Sequence, residues 1–207
     1  PSCGVDIASL AADRTGNLFV ASYAYDDLRT KRKLPCEGVY VYSPTANGDA
    51  TPIQIIKLPN ALPLSSMAVD ANDNLYVLLD AEMVQEYANA VTEPTPTRTF
   101  RQSSSLRFLS LALDDAGNLF LAKNDYSFKN GRIERYTPTA KPNGHPTSTI
   151  VLDANVNLLA SIAAAVRRLY VVNDPEHVDV YRARKGGMQG PILSRPFHNV
   201  DTVATTP

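Results

Sequence analysis

One twelve-residue pattern recurs along this chain and limits its fold more than any composition figure does. Ser9-Leu-Ala-Ala-Asp13-Arg-Thr-Gly-Asn-Leu-Phe-Val20 aligns with Ser66-Met-Ala-Val-Asp70-Ala-Asn-Asp-Asn-Leu-Tyr-Val77 and with Ser110-Leu-Ala-Leu-Asp114-Asp-Ala-Gly-Asn-Leu-Phe-Leu121. A fourth, worn copy runs from Ser161 to Val172. The anchor leucines Leu18, Leu75, Leu119 and Leu169 lie 57, 44 and 50 residues apart, so 207 residues hold about four copies.

Each copy continues in the same way. Short alternating runs end at Tyr42, Tyr87, Tyr136 and Tyr181, and a proline follows (Pro52, Pro96, Pro146, Pro191) ahead of another short run. Each copy therefore has four strand-like segments, a to d, separated by Gly, Asn, Asp, Thr and Pro clusters, and none has helical periodicity. Four short antiparallel strands per repeat is the pattern of a β-propeller blade. The expectation is an all-β single domain over 1–207 with blades at about 9–58, 66–101, 110–153 and 161–197. Residues 198–207 read as a clasp or the start of a further inner strand. A closed four-bladed ring and an open arc of a larger propeller both fit the repeat count.

The turn residues agree with this reading. In Asp13-Arg-Thr-Gly16-Asn17 and Asp114-Asp-Ala-Gly117-Asn118 the aspartate can accept backbone N–H bonds two or three residues on, and glycine takes the positive-φ position. Asp73 stands in for that glycine in the second copy, and the fourth copy, Ala165 to Arg168, has neither cap nor glycine. The small residues Ala11, Ala68, Ala112 and Ala163 suit innermost strands crowded round an axis.

The Asp-x-x-Gly-Asn-Leu-(Phe/Tyr)-Val signature, followed by Val41-Tyr-Ser-Pro-Thr-Ala-Asn-Gly-Asp-Ala-Thr-Pro-Ile53, resembles NHL-type β-propeller repeats, in particular secreted bacterial propellers. The resemblance covers about Ser9 to Phe197. It implies the fold; the class holds substrate-binding domains, lyases, lactonase-like enzymes and scaffolds, so no single function follows. The metal-dependent gluconolactonase-like and lyase-like members use a few acidic, Asn or His side chains at the channel, none of which maps onto a motif here.

Composition narrows the partners. The net charge of −1 gives no electrostatic reason to expect nucleic acid or anionic lipid. The longest nearly apolar stretch, Leu158 to Val166, is far short of the about 20 residues that span a bilayer. The chain opens at Pro1 without an initiator Met, which reads as a processed chain or part of a longer one. Cys3 and Cys36 are the only cysteines, and on this topology both fall on the d–a/b–c face. A disulfide between them would mark an oxidising, extracytoplasmic compartment. Lipidation at Cys3 and a pair of free buried thiols are the alternatives.

Function is sought in the loops. Meander connectivity places the b–c and d–a loops on one face, and the b–c loops of blades 1 and 3 carry insertions, Tyr23–Glu37 and Asn124–Asn130. Tyr23, Tyr25, Arg29, Lys31, Arg32 and Lys33 with Tyr126, Phe128 and Lys129 form the expected contact surface for a protein or an extracellular ligand. No cofactor is expected. A calcium ring on Asp13, Asp70 and Asp114 is the alternative to hairpin capping, whose fixed place before Asn favours capping. His145, His177 and His198 are isolated in loops, and Gly186-Gly-Met-Gln-Gly190 reads as a c–d hairpin tip, with no following helix to make a phosphate cradle. The strand-c tyrosines read as packing residues whose hydroxyls reach the blade edge. The function expected is a non-catalytic binding or scaffolding module; a metal-assisted lactonase or lyase, or a structural subunit of a larger assembly, are the other readings.

Overall fold

The structure, a computed structural model, describes residues 5–24, 38–58, 64–92, 94–101, 106–125, 131–142, 144–152, 161–165, 167–174, 177–183, 187–189 and 191–196. The protein is all-β, with four antiparallel four-stranded sheets as β-propeller blades and no helix among the described residues. Blade 1 is β1 (Val5–Ala12), β2 (Leu18–Ala24), β3 (Gly38–Tyr42) and β4 (Gln54–Ile56); blade 2 is β5 (Leu64–Val69), β6 (Leu75–Leu79), β7 (Met83–Tyr87) and β8 (Pro96–Arg101). Blade 3 is β9 (Leu106–Leu113), β10 (Leu119–Asp125), β11 (Arg132–Tyr136) and β12 (Ser148–Leu152); blade 4 is β13 (Ser161–Ala165), β14 (Arg168–Asp174), β15 (His177–Arg182) and β17 (Leu193–Pro196). The chain divides into two compact units, Pro1–Asp80 with Val84–Arg98, and Ala81–Met83 with Thr99–Pro207, the boundary passing through β7 and β8.

One element departs from the four-strand plan. Gly187–Gln189 forms β16, which pairs in parallel with the outer strand of blade 3 through Ile150↔Gly187 and Leu152↔Gln189. The glycine-flanked segment thus leaves the blade 4 hairpin to cover a neighbouring edge, which spares β12 an unpaired row of backbone groups.

The hairpin between strands a and b is set by its aspartate. The Asp13 carboxylate accepts from the Thr15 and Asn17 backbone N–H groups at 2.9 and 2.8 Å and from the Asn17 amide at 2.7 Å. Asp70 repeats this with Asn72 and Asn74, and Asp114 with Ala116 and Asn118. The reach is two and four residues, longer than expected, because the loop closes through the Asn carbonyl onto the Asp backbone N–H. Gly16 and Gly117 hold φ of 88° and 72°, and Asp73 takes 60° in their place. The fourth hairpin is one residue shorter: Ala164 pairs with Leu169 where Ala12, Val69 and Leu113 pair with residues six positions on.

Within each unit, adjacent blades pack face to face. In unit 1, β1 and β2 pack on β5, and Phe19, Ala21, Val39, Val41 and Ile56 are fully buried on one face of blade 1. In unit 2, Ala112, Phe120 and Ala122 of blade 3 share one core with Ile162, Ala164, Leu169 and Val171 of blade 4. The small residues of strand a let neighbouring inner strands approach, as the repeat suggested.

Candidate functional site

The b–c connections differ between blades, as the spacing predicts. In blade 2, β6 turns directly into β7 through Asp80 and Ala81, both left-handed at φ 50° and 54°, the signature of a two-residue hairpin turn. In blade 4, Asp174 pairs with His177 across an equally tight turn. Blades 1 and 3 instead part after Ala24 and Asp125 and resume at Gly38 and Arg132.

Of the predicted contact residues, Tyr23 sits in β2 opposite Asp6. Tyr25, Arg29, Lys31, Arg32, Lys33, Tyr126, Phe128 and Lys129 lie outside the described residues, as do Cys3, Cys36 and His198. His145 is exposed in the turn before β12, and His177 opens β15, half-buried, opposite Asp174 and Pro196. Asp13, Asp70 and Asp114 are buried in their own hairpins, committed to the bonds above. Burial opposes ionisation of Asp13, but the bonds donated by Asn17 and Thr15 outweigh it and hold the carboxyl below its ordinary range. Among the described residues no cluster of three or more His, Cys, Asp or Glu is arranged to hold a metal.

Sequence reading missed the buried polar groups of blades 2 and 3. In blade 3, Glu134 accepts from the Tyr136 hydroxyl at 2.8 Å, pairs with Lys123, and meets Arg132 Nη2 at 3.2 Å. Lys123 also lies over the Phe108 ring, 4.6 Å from its centroid. Burial lowers the Lys123 pKa, with Glu134 opposing, and burial and Glu134 raise that of Tyr136 well above the usual phenol range. In blade 2, Tyr87 donates to Gln85 at 2.9 Å, and burial pushes its hydroxyl up to about 12. On the opposite face Glu86 pairs with Arg98, whose Nη2 donates to the Tyr76 hydroxyl at 3.1 Å. The hydroxyls of Tyr87 and Tyr136 thus turn inward to a polar group two residues earlier, not to the blade edge. The signal was present as Gln85 and Glu134, each two residues before its tyrosine and so on the same face of the strand. These clusters fix strands to one another within their own blades.

No family model and no curated protein matches the sequence. Among solved structures, the chain is similar to a protein of unknown function from Bacteroides caccae, with 11% identity and a TM-score of 0.57 over 94% of this chain and 62% of that one. It is likewise similar to Myxococcus xanthus glutaminyl cyclase, with 14% identity and a TM-score of 0.55 over 98% of this chain and 72% of that one. The chain thus spans less than two thirds of the Bacteroides protein. At these identities the likeness is one of fold, and it agrees with the β-propeller blades described above.

Proposed function

We propose that this is an NHL-like propeller acting outside the cytoplasm as a binding or scaffolding module, through the face that bears the b–c and d–a loops. The observation that carries the reading is the contrast between tight b–c turns in blades 2 and 4 and long b–c connections in blades 1 and 3. Rigid blades with variable loops on one side are a common way for repeat scaffolds to present a contact surface. The aromatic and basic side chains of the insertions, Tyr25, Arg29, Lys31, Arg32 and Lys33 with Tyr126, Phe128 and Lys129, supply contact area and positive charge. Five of the described acids, Asp13, Asp70, Asp114, Glu86 and Glu134, are buried and engaged within their own blade, so they are not free to act on a ligand. A Cys3–Cys36 disulfide fits the same compartment.

The test replaces both insertions with the Asp80-Ala81 type of turn and probes the intact and shortened proteins on arrays of peptides and polysaccharides. Binding that disappears while the thermal transition is kept supports the reading. Binding unchanged in the shortened protein refutes it, and lactone hydrolysis abolished by a chelator would establish the enzyme reading instead.

A further inference from the structure

The a–b end of blade 4 carries positive charge where the other blades have neutral or acidic residues. Arg167 and Arg168 stand just before the anchor Leu169, where blades 1 to 3 have Gly16-Asn17, Asp73-Asn74 and Gly117-Asn118. Arg182 follows the strand-c tyrosine, where they have Ser43, Ala88 and Thr137. This hairpin has also lost its acid, because Ala165 aligns with Asp13, Asp70 and Asp114.

Strand register brings these arginines together. Arg168 of β14 pairs directly with Arg182 of β15, which sets their Cβ atoms about 5 Å apart. Arg167 is next in line, its carbonyl accepting the Ala183 N–H at 3.0 Å. All three residues are exposed. Like charges directly opposite on a sheet work against strand pairing, so blade stability does not call for this arrangement. Nor does the blade neutralise it: among the described residues none of the three guanidinium groups has an ion pair or a hydrogen bond. The described acids of blade 4 are Asp174, at the far end of β14, and Asp179, buried on the opposite face of β15.

The surroundings select the kind of anion. Leu193 lies opposite Val180, which shares a strand face with Arg182, and it is 40% exposed, with Ile192 beside it 42% exposed. The centre of that face, Ala163 and Val180, is buried, so its open part is the arginine end and the outer strand. Guanidinium forks match carboxylates through paired hydrogen bonds, and the exposed isoleucine and leucine give apolar side chains a place to pack. A uniformly charged polyanion would leave that apolar half unused.

We propose that the Arg167, Arg168 and Arg182 end of blade 4, with Ile192 and Leu193, docks a segment of a partner protein in which carboxylates are interspersed with apolar side chains. The carboxylates relieve the repulsion between Arg168 and Arg182 that the free protein carries. This surface lies at the end of blade 4 away from its b–c turn at Asp174 and His177. It goes beyond the binding role proposed above, and either idea can fail without the other.

The experiment is fluorescence anisotropy on the full chain with a labelled peptide of glutamates and interspersed leucines, against the same peptide with glutamine for glutamate, at low and high salt. Binding of the glutamate peptide is expected, weaker at high salt and about tenfold weaker in Arg168→Gln or Arg182→Gln, the loss of one charge-assisted hydrogen bond. Both side chains are exposed, so the variants fold, which circular dichroism checks. Without peptide their thermal midpoints should equal or exceed that of the native chain, because a repulsion has been removed. An Ile192→Ser/Leu193→Ser variant should also weaken the glutamate peptide. No binding of that peptide, equal binding of the glutamine one, or indifference to both arginine substitutions overturns the proposal. Inorganic polyphosphate bound through these arginines in the peptide's place overturns it too, and assigns the site to phosphate.

Discussion

Gly16 and Gly117 are required twice over. Their backbone is left-handed, and a Cβ at either would come within 3.0 Å of Pro44 or 3.3 Å of Pro138 from the adjacent c–d turn. Blade 2 lacks that proline and carries Asp73, whose carbonyl instead accepts the Ala90 N–H at 3.4 Å. Gly117→Ala should therefore cost about 1–2 kcal/mol from backbone strain before any clash is counted. Asp73→Gly should relieve strain and gain about 0.5–1 kcal/mol, both read from urea unfolding. The capping carboxylate gives a pH test. The Asp13 pKa is lowered in the folded state, so its contribution is present above the unfolded value of about 3.9 and fades as pH falls through the folded value. The stability gap between the native chain and Asp13→Asn should narrow below pH about 4; a gap independent of pH would show that the carboxylate's charge is not what matters.

Blades 2 and 3 solve the same packing problem differently. Where blade 3 has Lys123, Glu134 and Tyr136, blade 2 has Leu79, Gln85 and Tyr87, with the same tyrosine-to-acceptor bond. The neutral version shows that the ion pair is not needed for the strand. Glu134→Gln alone should cost about 3 kcal/mol, because the Lys123 charge is left buried without its partner, and Lys123→Leu should cost less, because Arg132 still faces Glu134. The double variant should return to within about 1 kcal/mol of the native chain, and a double-mutant cycle in denaturant measures the coupling. Additive losses would mean that the two side chains act separately. This level of detail was half legible beforehand. Strand order, the Asp–Asn hairpins and the left-handed Asp73 follow from residue pattern alone, since local backbone geometry dictates those residue types. The pairing of Lys123 with Glu134 and the excursion of Gly187–Gln189 to β12 were not, because each depends on a partner in another strand that residue pattern does not specify.

Across the whole chain, stability is organised by blade-to-blade contacts repeated along the sequence. Each unit has its own: β1 with β5 in the first, β9 with β13 in the second. In repeat architectures, such interfaces act mainly on nearest neighbours, so damage to one should stay local. Phe120 is fully buried at the centre of the second interface, among Ala112, Ala122, Ile162 and Leu169. Phe120→Ala should cost about 3–5 kcal/mol there, from lost burial and the cavity left behind. Hydrogen exchange should then accelerate in β9, β10, β13 and β14 while the amides of β1, β2 and β6 keep their protection. If protection fell equally in all of these strands, the two units would be unfolding as one, and the local picture would have to give way to a single cooperative fold.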